Sequence, residues 1–320
     1  MKENRSRAVL EATLCMTRQC WEQGLVAQCL MELDEYEKLE IVVHDMVLRI
    51  SADGRLCNVE GTPASTDSAF CIPATLFVGY EESRQDYIDA VNENIDYLLN
   101  RAERAADGTL FHIQGEPQIW ADSAAFLPYA LGIFANYEEA LQQLEGIWKR
   151  VYREELGLCY HIWDEETQSY PRGFCWATGN GWMLTGVLRF IMILPDTYSE
   201  QKALWSKRFK ALLNQILVYK TESDTFHDIL DDPESFEEMQ IGSMVAYCIY
   251  RAVAQGLLKD SYIATANRIR RAIHKNVSSN GLVEKSISSP DFAHQGTSVE
   301  SQVHFLLMEH YGELREKMSE

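Results

Sequence analysis

The 320-residue chain contains no uninterrupted apolar run of the roughly 18 residues that a membrane-spanning helix needs. Its N-terminus, Met1-Lys2-Glu3-Asn4-Arg5-Ser6-Arg7, passes into a mixed helical pattern and lacks the apolar core of a secretory leader. Basic residues are scarce. Lys and Arg number 29 against 48 Asp and Glu, a net charge of −19, and no basic cluster offsets it locally. That field excludes a polyanionic partner such as nucleic acid. The eight cysteines (Cys15, Cys20, Cys29, Cys57, Cys71, Cys159, Cys175, Cys248) show neither a Cys-x-x-Cys pair nor zinc-ligand spacing. Unpatterned thiols without an export signal point to the cytoplasm. Nucleotide-binding glycine turns, the His-Glu-x-x-His helix and the Gly-x-Ser-x-Gly elbow are all missing, so no cofactor and no metal is expected. No Pro/Gly/Ser-rich linker divides the chain, so residues 1–320 read as one domain.

What the chain does have is apolar content, 46% of its residues, enough for a large core. Strand signals are few and helical periodicity dominates. Long, charged, amphipathic segments lie at 34–51, 83–104, 137–152, 200–219 and 261–275. Segments richer in Ala, Gly, Phe and Met alternate with them at 22–33, 66–78, 122–135, 181–194, 241–254 and 298–311. A helix that is apolar most of the way round belongs inside. The loops that precede the inner segments resemble one another: Asp53-Gly54-Arg55-Leu56, Asp107-Gly108-Thr109-Leu110, Leu156-Gly157-Leu158 and Asn280-Gly281-Leu282. The repeat is irregular, roughly 50–70 residues, as for a helical hairpin plus one long loop. Six inner and about as many outer helices form either an open helical-repeat scaffold or a closed all-α (α/α)6 barrel. Open solenoids have short, uniform turns. Here the loops at one end are long and loaded with Trp, His, Asp and Asn, which favours the toroid with a functional mouth.

Three constellations carry chemistry. Gln118-Ile119-Trp120-Ala121-Asp122-Ser123 sets Asp122 at the start of an inner helix beside Trp120. Asp67 occupies the corresponding place one repeat earlier, so the two carboxyls would be neighbours at the mouth and suit acid/base work. Either could instead be a helix N-cap. Tyr160-His161-Ile162-Trp163-Asp164 and Arg172-Gly173-Phe174-Cys175-Trp176-Ala177-Thr178-Gly179-Asn180-Gly181-Trp182 gather three tryptophans and a histidine in one stretch. That stretch either binds a ligand or folds on its own aromatics. Trp21, in Trp21-Glu22-Gln23-Gly24, is a candidate for the funnel lining; His227-Asp228, Glu237-Glu238 and His294-Gln295 are lesser candidates.

The order Trp-x-Asp, Tyr-His-x-Trp-Asp, Trp-x-x-Gly-Asn-Gly-Trp resembles glycoside hydrolase families 88 and 105, the unsaturated glucuronyl and rhamnogalacturonyl hydrolases. Trp21-Glu22-Gln23-Gly24 and Gly296-Thr297-Ser298-Val299-Glu300 extend the resemblance over most of the chain. It implies an (α/α)6 barrel and a small oligosaccharide substrate ending in a 4,5-unsaturated uronic acid, whose enol ether is hydrated at C4=C5. It implies Asp122 as general acid/base with a raised pKa, Asp67 as a second carboxyl on the substrate, and His161 near the leaving group or water. Trp176 and Trp182 would stack on sugar, with Trp120, Trp21 and Asn180 completing the binding set. Better-known members carry an arginine for the uronate where this chain has Thr178, and Arg172 in the same loop is the available substitute. Two other readings stay open: a conventional inverting glycosidase using Asp67 and Asp122, and a non-catalytic carbohydrate-binding protein. Self-association is not legible from the residues.

Overall fold

The computed structural model describes residues 2–58, 63–287 and 293–318. Twelve α-helices among them alternate between two rings. The outer ring is α1 (Lys2–Met16), α3 (Tyr36–Leu48), α5 (Gln85–Asp96), α7 (Tyr137–Val151), α9 (Ser199–Val218) and α11 (Ile263–His274). The inner ring is α2 (Cys20–Glu32), α4 (Ile72–Glu81), α6 (Leu127–Ile133), α8 (Ala177–Ile193), α10 (Gln240–Ala254) and α12 (Val299–Lys317). Each inner element packs on the next, and α12 packs back on α2, so the ring closes. The open scaffold is therefore set aside in favour of the (α/α)6 barrel.

The two rings differ as their sequences require. In α7 the buried positions Ala140, Gln143, Leu144, Ile147, Trp148 and Val151 make one stripe, and the helix begins with Glu138 and Glu139 and ends with Lys149 and Arg150, matching its dipole. In α8 every residue from Ala177 to Ile191 is buried. One end of the ring is sealed by a buried network. Glu32 is shared by Arg189, by Arg251 at 3.2 Å and by the Tyr311 hydroxyl at 2.8 Å. Desolvated charges of this kind hold only when fully paired.

The other end carries the long loops. The repeated Gly-containing loops are each clamped by a buried side-chain amide. Asn94 accepts from Leu56 N, Gln143 from Leu110 N, Asn180 from Cys159 N, and Gln302 from Val283 N, at 2.6–2.9 Å. Among the described residues, nine strands of two to four residues stiffen these loops. β2 (Tyr152–Arg153) and β3 (Leu158–Cys159) pair with each other, and the largest group joins β1 (Gln118–Trp120), β4 (Ile162–Asp164) and β5 (Ser169–Arg172), antiparallel in the order β1-β4-β5.

Two inner segments expected as single helices are broken. Residues 66–78 and 122–135 each start as a tight 3-10 turn, Asp67–Cys71 and Ala121–Ala125, and restart as α4 and α6. Pro73 and Pro128 sit in the first turn of the restarted helices, where a missing N–H costs nothing. Both breaks fall in an Asp-Ser-Ala-x-x-x-Pro pattern, Asp67 to Pro73 and Asp122 to Pro128. Each turn is seated on a glycine of the neighbouring inner helix. A Cβ on Gly24 of α2 would lie 2.6 Å from the Phe70 carbonyl carbon, and one on Gly186 of α8 would lie 1.9 Å from the Ala124 oxygen.

Candidate active site

The sheet brings two repeats together. Trp120 of β1 pairs with Ile162 of β4, and Ala121 N donates to the His161 carbonyl at 2.9 Å. This register puts Asp122, one residue past Ala121, against His161, one residue before β4. His161 Nε2 lies 3.0 Å from Asp122 Oδ2. The approach is off the ring N–H axis, and both atoms lack an aligned hydrogen-bond partner among the described residues. His161 is 3% exposed, whereas the Asp122 side chain keeps 19%, so the carboxyl is the accessible member of the pair.

Neither aspartate is an N-cap. Asp122 and Asp67 lie inside their 3-10 turns and make no capping hydrogen bond. Asp67 instead has His112 Nε2 at 3.5 Å. His112 belongs to the loop before β1; its Nδ1 is shared by Thr66 Oγ1 at 3.0 Å and Ser123 Oγ at 2.9 Å. Trp120 stacks on His112 with ring centroids 4.3 Å apart and meets His161 edge-on at 5.3 Å. Trp176 covers His161 at 4.3 Å. Two imidazoles and two indoles thus wall the two carboxyls.

The protonation pattern differs from the expected raised pKa for Asp122. Burial pushes Asp122 up, but the facing His161 outweighs it, and the carboxyl sits below its ordinary value. His112 is pushed down to about 4 by burial, so it is neutral near neutrality. Asp67 moves the other way, to about 7, through burial and then the charges of Asp122 and Glu300. Near neutral pH Asp67 is therefore about half protonated, and of the two carboxyls it is the one that holds the proton.

The other sequence-named residues fall at different depths. Arg172 ends β5 with its guanidinium 5.0 Å from the Phe174 ring and 5.6 Å from the Trp176 ring, and it makes no ion pair among the described residues. Trp176 Nε1 donates to Asp228 at 3.2 Å, and burial moves the Asp228 carboxyl to about 6. Thr178 is buried with no hydrogen-bond partner for its hydroxyl among the described residues. Trp182 lies deeper, edge-on to His304 and Phe70. Asn180 spends its amide on backbone: it accepts from Cys159 N and donates to the Cys159 and Trp176 carbonyls. Its place is to hold the aromatic loop rather than to face the mouth. Trp21 is partly buried and donates to Glu300 Oε1 at 2.8 Å. His112 was missed by sequence reasoning, and Glu300 was quoted only within the Gly296–Glu300 stretch, although the Asp-Ser-Ala-x-x-x-Pro repeat was there to align the two turns. No group of three or more metal-ligating side chains occurs among the described residues.

A six-hairpin toroid with paired carboxyls in an aromatic mouth defines the class: a barrel of the kind that processes carbohydrate. The family model for Glycosyl Hydrolase Family 88 matches residues 2–312, and the chain belongs to that family; it is a glycoside hydrolase. It is 24% identical over 244 residues to the unsaturated rhamnogalacturonyl hydrolase YesR of Bacillus subtilis, covering 72% of this chain and 69% of that protein. A solved structure of a possible member of the GH105 family from Salmonella enterica superposes with a TM-score of 0.82 at 17% identity, over 98% of this chain and 93% of the other. The unsaturated glucuronyl hydrolase of Bacillus sp. GL1 superposes at 0.69 and 14% identity, over 93% and 86%. These two likenesses are of fold. Among the described residues, no helix is long and apolar enough to cross a membrane.

Proposed function

We propose that this glycoside hydrolase removes a 4,5-unsaturated uronyl residue from a small oligosaccharide by hydrating its C4=C5 bond, with Asp122 as general acid/base in a single catalytic domain. The observation that carries this reading is the accessible Asp122 carboxyl, 3.0 Å from buried His161 and within the electrostatic reach of a proton-retaining Asp67. The kinship with the B. subtilis rhamnogalacturonyl hydrolase supports the substrate class.

The chemistry follows from the charges. In the free site Asp122 is ionised and Asp67, titrating at about 7, is the carboxyl that shares a proton with solvent. A uronate entering the basin adds a negative charge and expels water, and both raise the proton affinity of Asp122. The acid form delivers its proton to C4; positive charge develops at C5 and the ring oxygen. Water then attacks C5 and returns a proton to Asp122. The hemiketal so formed opens, and the glycosidic link is lost. One carboxyl serves both steps, so the separation rule for two-carboxylate glycosidases does not apply. His161 holds Asp122 in place and offers a ring nitrogen to the water. Arg172, propped between Phe174 and Trp176, takes the role of uronate anchor that Thr178 cannot fill. All eight cysteines are free thiols, which suits a reducing cytoplasm.

The test is ultraviolet absorbance of the double bond in a panel of lyase-generated oligosaccharides. The wild-type chain abolishes the absorbance, and Asp122→Asn slows that loss by about 10²–10⁴-fold. Sugar release with the absorbance intact would establish a conventional glycosidase instead; a D122N rate equal to wild type would remove Asp122 from the mechanism.

A further inference from the structure

The sheet that places Asp122 has a second face. Cross-strand partners lie on the same side of a sheet. Trp120 pairs with Ile162 and contacts His112 and His161, whereas Trp163 pairs with Ile119 and takes the opposite side, away from the carboxyls. There it meets the end of α7 in a cleft of about 190 Å³ lined by Lys149, Arg150, Trp163, Glu165, Gln168 and Tyr170. The hydration chemistry does not use this cleft.

The polar ends of its two rings are already bonded to protein. Trp163 Nε1 donates to Glu165 at 2.6 Å. The Tyr170 hydroxyl donates to the Arg150 carbonyl and accepts from Arg153, both at 2.8 Å. The rings meet edge to face at 4.9 Å, and each is only half-buried, so fixed aromatic surface stays open. Arg150 grips Glu165 with two N–H groups at 2.9 Å and reaches Asp107 at 2.8 Å, so the one acid of the lining is neutralised. Lys149 and Gln168 are exposed at the edge. Lys149 makes no ion pair among the described residues. Gln168 Nε2 is held by the Glu165 carbonyl at 2.8 Å, which leaves its Oε1 to accept.

These groups select their ligand. A cationic ligand would meet the Lys149 charge, and a purely apolar one would desolvate Lys149 and Gln168 without bonding them. A sugar ring lays C–H surface on the aromatics and offers a hydroxyl to the amide; a carboxylate on that ring answers the lysine. The volume is that of about six waters at ~30 Å³ each, which suits one pyranose rather than a drug-sized ligand.

We infer that this cleft is a second saccharide site, which holds one carboxylated sugar residue with its ring against Trp163 and Tyr170, its carboxylate on Lys149 and a hydroxyl on Gln168. The acidic chain so held is either the distal part of a substrate whose end lies in the mouth or a separate molecule. The site goes beyond the hydration reading, and its binding test needs no turnover.

The experiment follows the indole N–H signals of the seven tryptophans by heteronuclear NMR on the full chain, with that of Trp163 identified by its loss in Trp163→Phe. The probe is saturated trigalacturonic acid, which has no C4=C5 bond to react, and its methyl ester is the uncharged control. The Trp163 signal shifts with a Kd of about 1 mM, and the ester binds about 10-fold more weakly. Lys149→Glu weakens the acid by about 10-fold or more while its rate on an unsaturated disaccharide stays within about twofold of wild type. Kinetics separates the two sources. If the cleft holds the distal part of the substrate, K149E lowers kcat/KM about 10-fold for a long unsaturated-ended oligosaccharide and not for the disaccharide; if it holds a separate chain, neither changes. A Trp163 signal unmoved by about 10 mM acid, moved equally by the ester, or moved equally in K149E refutes the site and leaves the hydration reading intact. A wild type inactive on the unsaturated disaccharide overturns the hydration reading and leaves the binding result in force.

Discussion

Replacing Asp67 by asparagine stabilises the folded protein above neutral pH while impairing its site. Asp67 is 7% exposed and titrates at about 7 in the folded chain, against 3.8 for an ordinary aspartate. The raised value fixes the sign. Below pH 4 the carboxyl is protonated folded and unfolded, and it has no differential effect. Between about pH 4 and 7 the unfolded chain ionises while the folded chain keeps its proton, so stability falls as pH rises. Above 7 the folded carboxyl ionises too, and the loss is complete. At 1.36 kcal/mol per tenfold change in proton affinity, the loss is about 4 kcal/mol. For a chain of this size that corresponds to roughly 6 °C in Tm. Asparagine removes the titration, keeps the volume, and can still face His112, 3.5 Å from the present carboxyl. Thermal and urea melts of wild type and D67N at pH 4 and pH 8.5 read the effect. The two are expected to be similar at pH 4, with D67N the more stable by up to about 4 kcal/mol at pH 8.5. A gap that does not widen with pH, or wild type the more stable at pH 8.5, would refute the assignment of the proton to Asp67.

Arg172→Ala should raise KM for uronate-bearing substrates by about 10–100-fold with a smaller change in kcat, and leave the melting curve within about 1 °C. A KM equal to wild type would place the uronate elsewhere. Gly186→Ala forces a methyl group to within 1.9 Å of the Ala124 oxygen. The expected cost is about 3 kcal/mol or more, with activity falling because the Asp122 turn is displaced; a chain that melts like wild type would mean that α8 and the turn can separate without consequence.

Much of the barrel is legible without coordinates because its rings differ in composition. An outer helix such as α7 must be apolar on one stripe and charged elsewhere, and an inner helix such as α8 must be apolar all round. The breaks at Asp67 and Asp122 were less visible. An apolar run with a proline inside it can continue, kink or restart, and the restart depends on a glycine of another helix admitting the tight turn. Asn180 shows the same limit. Flanked by glycines in an aromatic stretch, it resembles a ligand contact, yet its amide is consumed by the Cys159 backbone, which only the fold brings near.

The sequence by itself determined the alternation of inner and outer helices, the long-looped end, and which acids, histidines and indoles were available there, because periodicity and turn chemistry are local. Tertiary structure alone decided how protons are shared among them. His112 and His161 reach the carboxyls from different loops, and Glu300 reaches Asp67 from the last hairpin once the ring closes. Burial and then Coulombic coupling through space raise the Asp67 carboxyl, while His161 facing Asp122 lowers that one, and both depend on the folded arrangement.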